Sequence, residues 1–337
     1  MRVFISGYYG FGNLGDEMLL DALRALLIEY GFRRDELVVL SASPKETERE
    51  HALSSFKRGN LLRLFAEIKR GDLLISGPGG LFQDSTGPWS PAFYASHAFL
   101  ALLKGAKVLI YGQSLGPIKR RVNLLLVRFL LSKASLVVLR DESMSDMVPR
   151  NKLLFTPDPA FILSVGEVSG LRDGIGIVFR RWKWDLESLL RVLVKMGFPL
   201  TLISFQAERE REDGIRLSKM YGLPFLTPSN WAEALRVLST FKLVIGMRLH
   251  SLIMSAMTFT PFIGISYDPK VRSLCELLKM PFLESPRETF AFSGYIRDIM
   301  IKWDRKSEGL KCEVEILREK VRSVFTRSLN LLLGREA

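Results

Sequence analysis

The sequence predicts an α/β protein built from two doubly wound parallel sheets, on three observations. Short β-rich apolar runs alternate with longer amphipathic stretches, the pattern of successive βαβ units. The alternation occurs twice in series, on either side of a stretch rich in proline and glycine. At 337 residues the chain is long for one domain of typical size and can bury two cores.

In the first series, residues 3–6, 37–41, 73–76, 108–111 and 136–139 read as strands of one sheet. Residues 16–30 place Met18, Leu19, Ala22, Leu23, Leu26 and Leu27 at helical spacing, a stripe that packs on such a sheet. The second series offers strands at 174–179, 200–205, 243–246 and 262–266. Residues 157–172, with Pro157, Pro159, Gly166 and Gly170 and little periodicity, read as the linker. Residues 313–332 read as one long helix with Val314, Ile316, Leu317, Val321 and Val324 along a face. The expected organisation is an N-terminal domain at 1–165, a C-terminal domain at 172–305, and a terminal helix within 306–337 packing back across them. The ligand cleft is expected between the domains.

Hydrophobic residues make up 47% and charged residues 25%, which excludes extended disorder. The formal charge of +12 favours anionic partners: phosphates, nucleic acid or an acidic membrane surface. Long Lys/Arg tracts and RNA-binding aromatic signatures are missing, so nucleic acid is not expected. Two cysteines, Cys275 and Cys312, are too few for a disulfide framework or a thiolate zinc site, and a reducing cytoplasm is expected. The chain opens on a strand-like run, so no secretory leader is expected, and Arg128 and Lys133 interrupt the most apolar region, 123–139, so no transmembrane helix is expected. The basic amphipathic stretch 56–70 reads either as a helix docked on the sheet or as a peripheral contact with an anionic membrane.

The first βα junction carries Gly10, Gly12 and Gly15 in the spacing G-x-G-x-x-G, followed by Asp16 and Glu17. Glycines let backbone approach a ligand, and a helix start favours a phosphate or carboxylate, so a dinucleotide site and a purely structural turn both stay open. Against the dinucleotide, the second strand ends Leu40-Ser41-Ala42-Ser43, without the carboxylate that holds a ribose. Further loops at predicted strand ends are 77–84, 112–117 and 140–143, the last with Arg140 beside Asp141 and Glu142 in a possible helix-start ion pair.

In the second half, Met247-Arg248-Leu249-His250 runs from an apolar strand into a small-residue helix. Arginine supplies a permanent planar cation and histidine a proton carrier near neutral pH, a pairing suited to acid-base work on an anion. A lone histidine is otherwise most often a hydrogen-bonded structural residue. His51 and His97 show no comparable setting in the sequence. Lys270, at the next strand end, and Arg180 and Arg181, with Trp182 and Trp184 beside them, are further candidates for anion and sugar contacts.

Taken together, residues 7–17, 77–84, 111–117, Arg140-Asp141, Asp158-Pro159, 246–251 and 266–271 resemble the polysaccharide pyruvyltransferase family, in its CsaB-type members acting on cell-wall polymers and S-layer anchoring. The resemblance implies two Rossmann-like domains in a GT-B-like arrangement with the active site in the interdomain cleft. It also implies phosphoenolpyruvate as donor and a sugar or lipid-linked saccharide as acceptor. It assigns catalysis to His250 and Arg248, and substrate binding to Asn13, Arg140, Arg180, Arg248, Leu249 and Lys270. No metal or cofactor is expected. The alternatives are a nucleotide-sugar glycosyltransferase on the same scaffold, or a binding module without catalysis.

Overall fold

A computed structural model describes residues 1–85, 87–164, 166, 170–180, 186–266, 268–285 and 288–335. The chain divides into two compact units, residues 1–163 with 317–337, and residues 164–316.

In the first unit the elements run β1 (Val3–Ser6), α1 (Leu14–Tyr30), β2 (Leu37–Ser41), α2 (Pro44–His51), β3 (Ser54–Lys57), α3 (Leu61–Glu67), β4 (Leu73–Ser76), α4 (Ser90–Leu103), β5 (Lys107–Gln113), α5 (Arg121–Lys133), β6 (Leu136–Leu139) and β7 (Leu153–Phe155). The seven parallel strands lie in the order β3-β2-β1-β4-β5-β6-β7. Order reverses between β1 and β4, so the loops after these two strands flank the switch point where open sheets of this kind bind ligands. The central strands β1, β2, β4 and β6 are buried at every position, as expected where helices cover both faces. Helices α3, α4 and α5 bury Leu64, Ala95, Ala98, Val127 and Leu130 in one core with Phe4, Leu74, Val108 and Val137 of the sheet.

The second unit runs β8 (Ile175–Val178), α6 (Leu186–Lys195), β9 (Leu200–Ile203), α7 (Ala207–Tyr221), β10 (Phe225–Leu226), α8 (Trp231–Ser239), β11 (Leu243–Gly246), α9 (Leu249–Met257), β12 (Phe262–Ile265), α10 (Pro269–Leu277), β13 (Phe282–Leu283) and α11 (Thr289–Ile301). Its parallel order, β10-β9-β8-β11-β12-β13, has the same reversal, here between β8 and β11. Each unit is thus a Rossmann-like sheet. The last helix, α12 (Trp303–Leu333), contributes its first turns to the second unit and residues 317–333 to the first. Trp303 Nε1 donates to Lys242 O at 2.7 Å, and Tyr30 Oη donates to Asn330 Oδ1 at 2.8 Å.

Four strands escape the sequence reading, β3, β7, β10 and β13. All are two to four residues long, β3 and β7 keep half-solvated or exposed positions, and an apolar run that short leaves no period. The basic stretch 56–70 is therefore not one helix. It is the end of β3, a turn, and the two-turn helix α3, whose Asn60 side chain caps Arg63 N at 3.0 Å. Helix α12 also begins ten residues before the expected start at Glu313, across Ser307 and Gly309, whose weak helix propensity hides it.

Candidate active site

The carboxyl edge of the first sheet is closed by its own polar contacts. Asn13 is the N-cap of α1, its Oδ1 accepting from Gly15 N at 3.2 Å. The Glu17 carboxylate accepts from Gly10 N at 2.8 Å and lies 3.2 Å from His51 Nε2, while Asp21 lies 3.0 Å from His51 Nδ1. Burial opposes charge on this imidazole, but hydrogen bonds and charge from Asp21 and Glu17 outweigh it and raise its pKa to about 9. The Gly-rich loop is thereby fastened to the end of β2. Gly10 has φ +77°, and a Cβ there would stand 2.2 Å from Ser41 Oγ and 2.5 Å from Ser43 N. Gly10 thus packs against the end of β2, where a side chain would not fit.

His97 has an opposite setting. Ser6 Oγ meets its Nδ1 at 2.7 Å, and Arg58 O meets its Nε2 at 2.9 Å. A carbonyl only accepts, so Nε2 carries the proton and Nδ1 accepts from the serine. Burial, the largest influence, pushes the pKa down to about 4 and keeps the ring neutral. The Arg58 guanidinium rests over Phe93, Tyr94 and Phe11 at 4.3, 5.0 and 5.1 Å.

Arg140 follows β6, with its side chain only 8% exposed. Its Nη1 donates to Asp158 Oδ2 at 2.6 Å and its Nε to Ser114 Oγ at 2.7 Å. The expected pairing with Asp141 or Glu142 at a helix start is replaced by this one, because no α-helix follows β6 and Asp141 instead accepts from Ser114 Oγ.

The edge of the second sheet is arranged differently. Strand register pairs Val178 of β8 with Gly246 of β11, and Gly246 with Gly264 of β12. Arg180, Arg248 and Ser266 each follow two residues after these paired positions, at the carboxyl ends of the strands beside the switch point. Leu249 and His250 open α9, and Lys270 lies in the first turn of α10, whose N-cap Asp268 accepts from Lys270 N at 3.0 Å. Arg180, Arg248, Leu249, His250 and Lys270 are all half-buried. The fold therefore gathers these five on one sheet edge, whereas Asn13 and Arg140 belong to the other unit. Arg181, Trp182, Trp184 and Tyr267 lie outside the described residues.

Sequence reasoning missed the acid beneath Arg248. Glu210, on α7, is buried and accepts from Arg248 Nε at 3.1 Å and from its Nη2. Its other oxygen accepts from Ser204 Oγ at 2.7 Å and Gln206 N at 3.2 Å, and Gln206 Oε1 takes a further Nη2 proton at 3.2 Å. All these bonds use Nε and Nη2 of the guanidinium, and none uses Nη1. The signal that could have found Glu210 is a buried acid at the start of a helix directly after β9, beside Ser204 and Gln206 at the strand's end.

An open cavity of about 510 Å³ lined by Arg272, Lys279, Glu284 and Lys306 includes Met280 and Pro281 at the amino end of β13, the edge opposite these residues. Among the described residues no three His, Cys, Asp or Glu side chains gather as a metal site, and no helix is long and apolar enough to cross a membrane.

Solved structures share the fold at low identity. HepE of Anabaena in complex with UDP superposes with a TM-score of 0.70 over the whole of both chains at 11% identity. S. aureus MnaA with UDP gives 0.69 at 10% identity, covering 100% of this chain and 98% of that one. A glycosyltransferase from Rickettsia africae gives 0.66 at 11%, covering 98% and 97%. These likenesses show a GT-B-like fold of two Rossmann-like units. The amylovoran biosynthesis protein AmsJ of Erwinia amylovora is 21% identical over 263 residues, which is 65% of this chain and 62% of that protein, less than two thirds of its length. The profile of the polysaccharide pyruvyl transferase family matches residues 13–269, from Asn13 and Gly15 at the start of α1 through Arg140, Arg180, Glu210 and the Arg248-Leu249-His250 segment. On that match the chain belongs to the polysaccharide pyruvyl transferase family.

Proposed function

We propose that the protein transfers the pyruvyl unit of phosphoenolpyruvate to a sugar of a cell-wall polysaccharide or its lipid-linked precursor, forming a pyruvate ketal with release of phosphate. The observation that carries this reading is the place of Arg180 and Arg248, each two residues beyond the paired ends of β8 and β11 at the switch point, with His250 in the first turn of α9. Phosphoenolpyruvate is a small, multiply charged anion, and desolvating it without paired cations is costly. Arg248 offers Nη1 to its carboxylate or phosphate, oriented by Glu210, and Arg180 and Lys270 supply further charge. The amide groups at the start of α9 add a partial positive charge at the same place.

His250 gives a proton to the methylene carbon while a sugar hydroxyl oxygen bonds to the adjacent carbon, and the proton that hydroxyl loses restores the imidazolium. A second hydroxyl then displaces phosphate from the same carbon and closes the ketal, its proton passing to the departing phosphate, whose charge the cations stabilise. This chemistry asks for no cofactor. Within the family, the CsaB-type reading, at the inner face of the cytoplasmic membrane, is the one we adopt.

The glycosyltransferase reading draws on the fold shared with structures that hold UDP or UDP-glucose. The two separate when a diol-bearing sugar acceptor is supplied with phosphoenolpyruvate or with UDP-glucose. Phosphate release, with a ketal's mass on the acceptor, is expected from the first mixture alone. UDP release from the second would overturn the proposal.

A further inference from the structure

We propose that the outer face of helices α3, α4 and α5 docks on an anionic lipid bilayer. Between Asp84 and Asp141 the chain contains no acidic residue but eight lysines and arginines, a stretch that includes the whole of α4 and α5. Helix α5 carries two apolar stripes. The inner one, Val127, Leu130 and Leu131, is buried against the sheet. The outer one, Val122, Leu125 and Phe129, is spaced by three and four residues and is 77, 66 and 53% exposed. A helix whose outer side only meets water carries polar residues there.

The patch is continuous across the three helices. Phe129 packs on Phe99 of α4 at 5.7 Å between ring centroids, and Lys104 at the end of α4 sits 4.4 Å over Phe65 of α3. Leu62 of α3 and Leu103 of α4 add further exposed apolar groups. Arg121, Arg128 and Lys133 are exposed and make no ion pair among the described residues.

Apolar side chains that protrude among unpaired cations match the headgroup boundary of an anionic bilayer. There the apolar groups enter the acyl region while lysine and arginine stems reach back to phosphate. A nucleic acid would satisfy the cations and leave Val122 and Leu125 in water. A second copy of the chain would bring the same positive charge against itself. The face is distinct from the donor residues of the second unit, so the inference stands whether or not the donor is phosphoenolpyruvate.

Flotation with phosphatidylcholine vesicles, with and without phosphatidylglycerol, tests it without any substrate. The full chain is expected to float only with the anionic vesicles, and less at raised salt. The pair Arg121→Ser/Arg128→Ser is expected to weaken binding roughly tenfold or more. The pair Val122→Ser/Leu125→Ser is expected to weaken it as well, both variants melting like the parent protein. Absence of flotation with anionic vesicles, or flotation that neither pair changes, would overturn the proposal. So would a dimer in sedimentation that Val122→Ser/Leu125→Ser dissociates, which would assign the face to a second copy.

Discussion

The two Rossmann-like units share a strand order around the switch point, yet their carboxyl edges hold charge to different depths. In the first, ionic groups are consumed by the fold: Glu17 and Asp21 hold His51, and Asp158 holds Arg140, with all these side chains at most 10% exposed. In the second, Glu210 and Gln206 hold Arg248 through its Nε and Nη2 with the side chain 15% exposed, and His250 and Lys270 are half-buried. An ion pair locked in by burial gains rigidity at the expense of reactivity, whereas a more exposed cation oriented by an acid can still meet a ligand. The lesson is that a Gly-rich turn at a sheet edge marks a place in the fold, and the state of the neighbouring charges marks the chemistry.

The comparison breaks if the histidines trade roles. His250→Ala is expected to lower kcat by roughly 10²–10⁴-fold, the usual worth of a general acid, with circular dichroism unchanged. His97→Ala is expected to lower the melting temperature instead, since Ser6 Oγ and Arg58 O lose a buried partner. Full activity in a folded His250→Ala protein would remove the second unit's claim to the chemistry.

A second test reads the first unit through pH. His51 has a pKa raised from 6.5 to about 9, so its stabilisation is fully present below pH 6.5 and is lost as pH rises through 9. Its limiting size is about 3 kcal/mol. His97 has a pKa lowered from 6.5 to about 4, so the native state loses stability as pH falls from 6.5 toward 4. Denaturant unfolding across this range is expected to show greatest stability near pH 6.5 from these two groups, and His51→Gln is expected to flatten the alkaline limb. An alkaline limb of unchanged slope in that variant would show that the Glu17–His51–Asp21 cluster does not hold the turn.

Smaller still is the effect of the turn itself. Gly10→Ala meets both a positive φ and the Ser41 and Ser43 contacts, and is expected to cost about 1–3 kcal/mol. Gly12→Ala has φ +64° but nothing within 4 Å, so only backbone strain is expected, about 1 kcal/mol. Equal losses of melting temperature in the two would mean that the packing against β2 contributes nothing.

What the sequence makes legible follows from where each signal resides. Central strands such as 73–76 and 243–246 are continuous apolar runs because both faces are covered, so they are visible locally. Edge strands such as Ser54–Lys57 expose part of their length and lose that signature. Arg248, Leu249 and His250 are legible because they directly follow a recognisable strand. Their support is not, because Glu210 lies on a different helix and meets Arg248 only after β9 and β11 have been placed in one sheet. His51 and His97 look isolated for the same reason: their partners Glu17 and Ser6 are 34 and 91 residues away in the chain.

Glu210 is therefore where the comparison can be sharpened furthest. Replacing it with glutamine keeps the shape and an oxygen that can face Arg248, but removes the charge that fixes the guanidinium, so folding should survive. The guanidinium is then held less firmly, and the expected result is a KM for phosphoenolpyruvate raised about tenfold, about 1.4 kcal/mol, with a smaller change in kcat. Asp158→Asn at the matching pair of the first unit is expected to leave KM unchanged and to lower stability, because Asp158 and Ser114 hold the Arg140 side chain where it is only 8% exposed. If Glu210→Gln alters only the melting temperature while Asp158→Asn raises KM, the donor-binding arginine is Arg140, and the assignment of roles to the two sheet edges must be reversed.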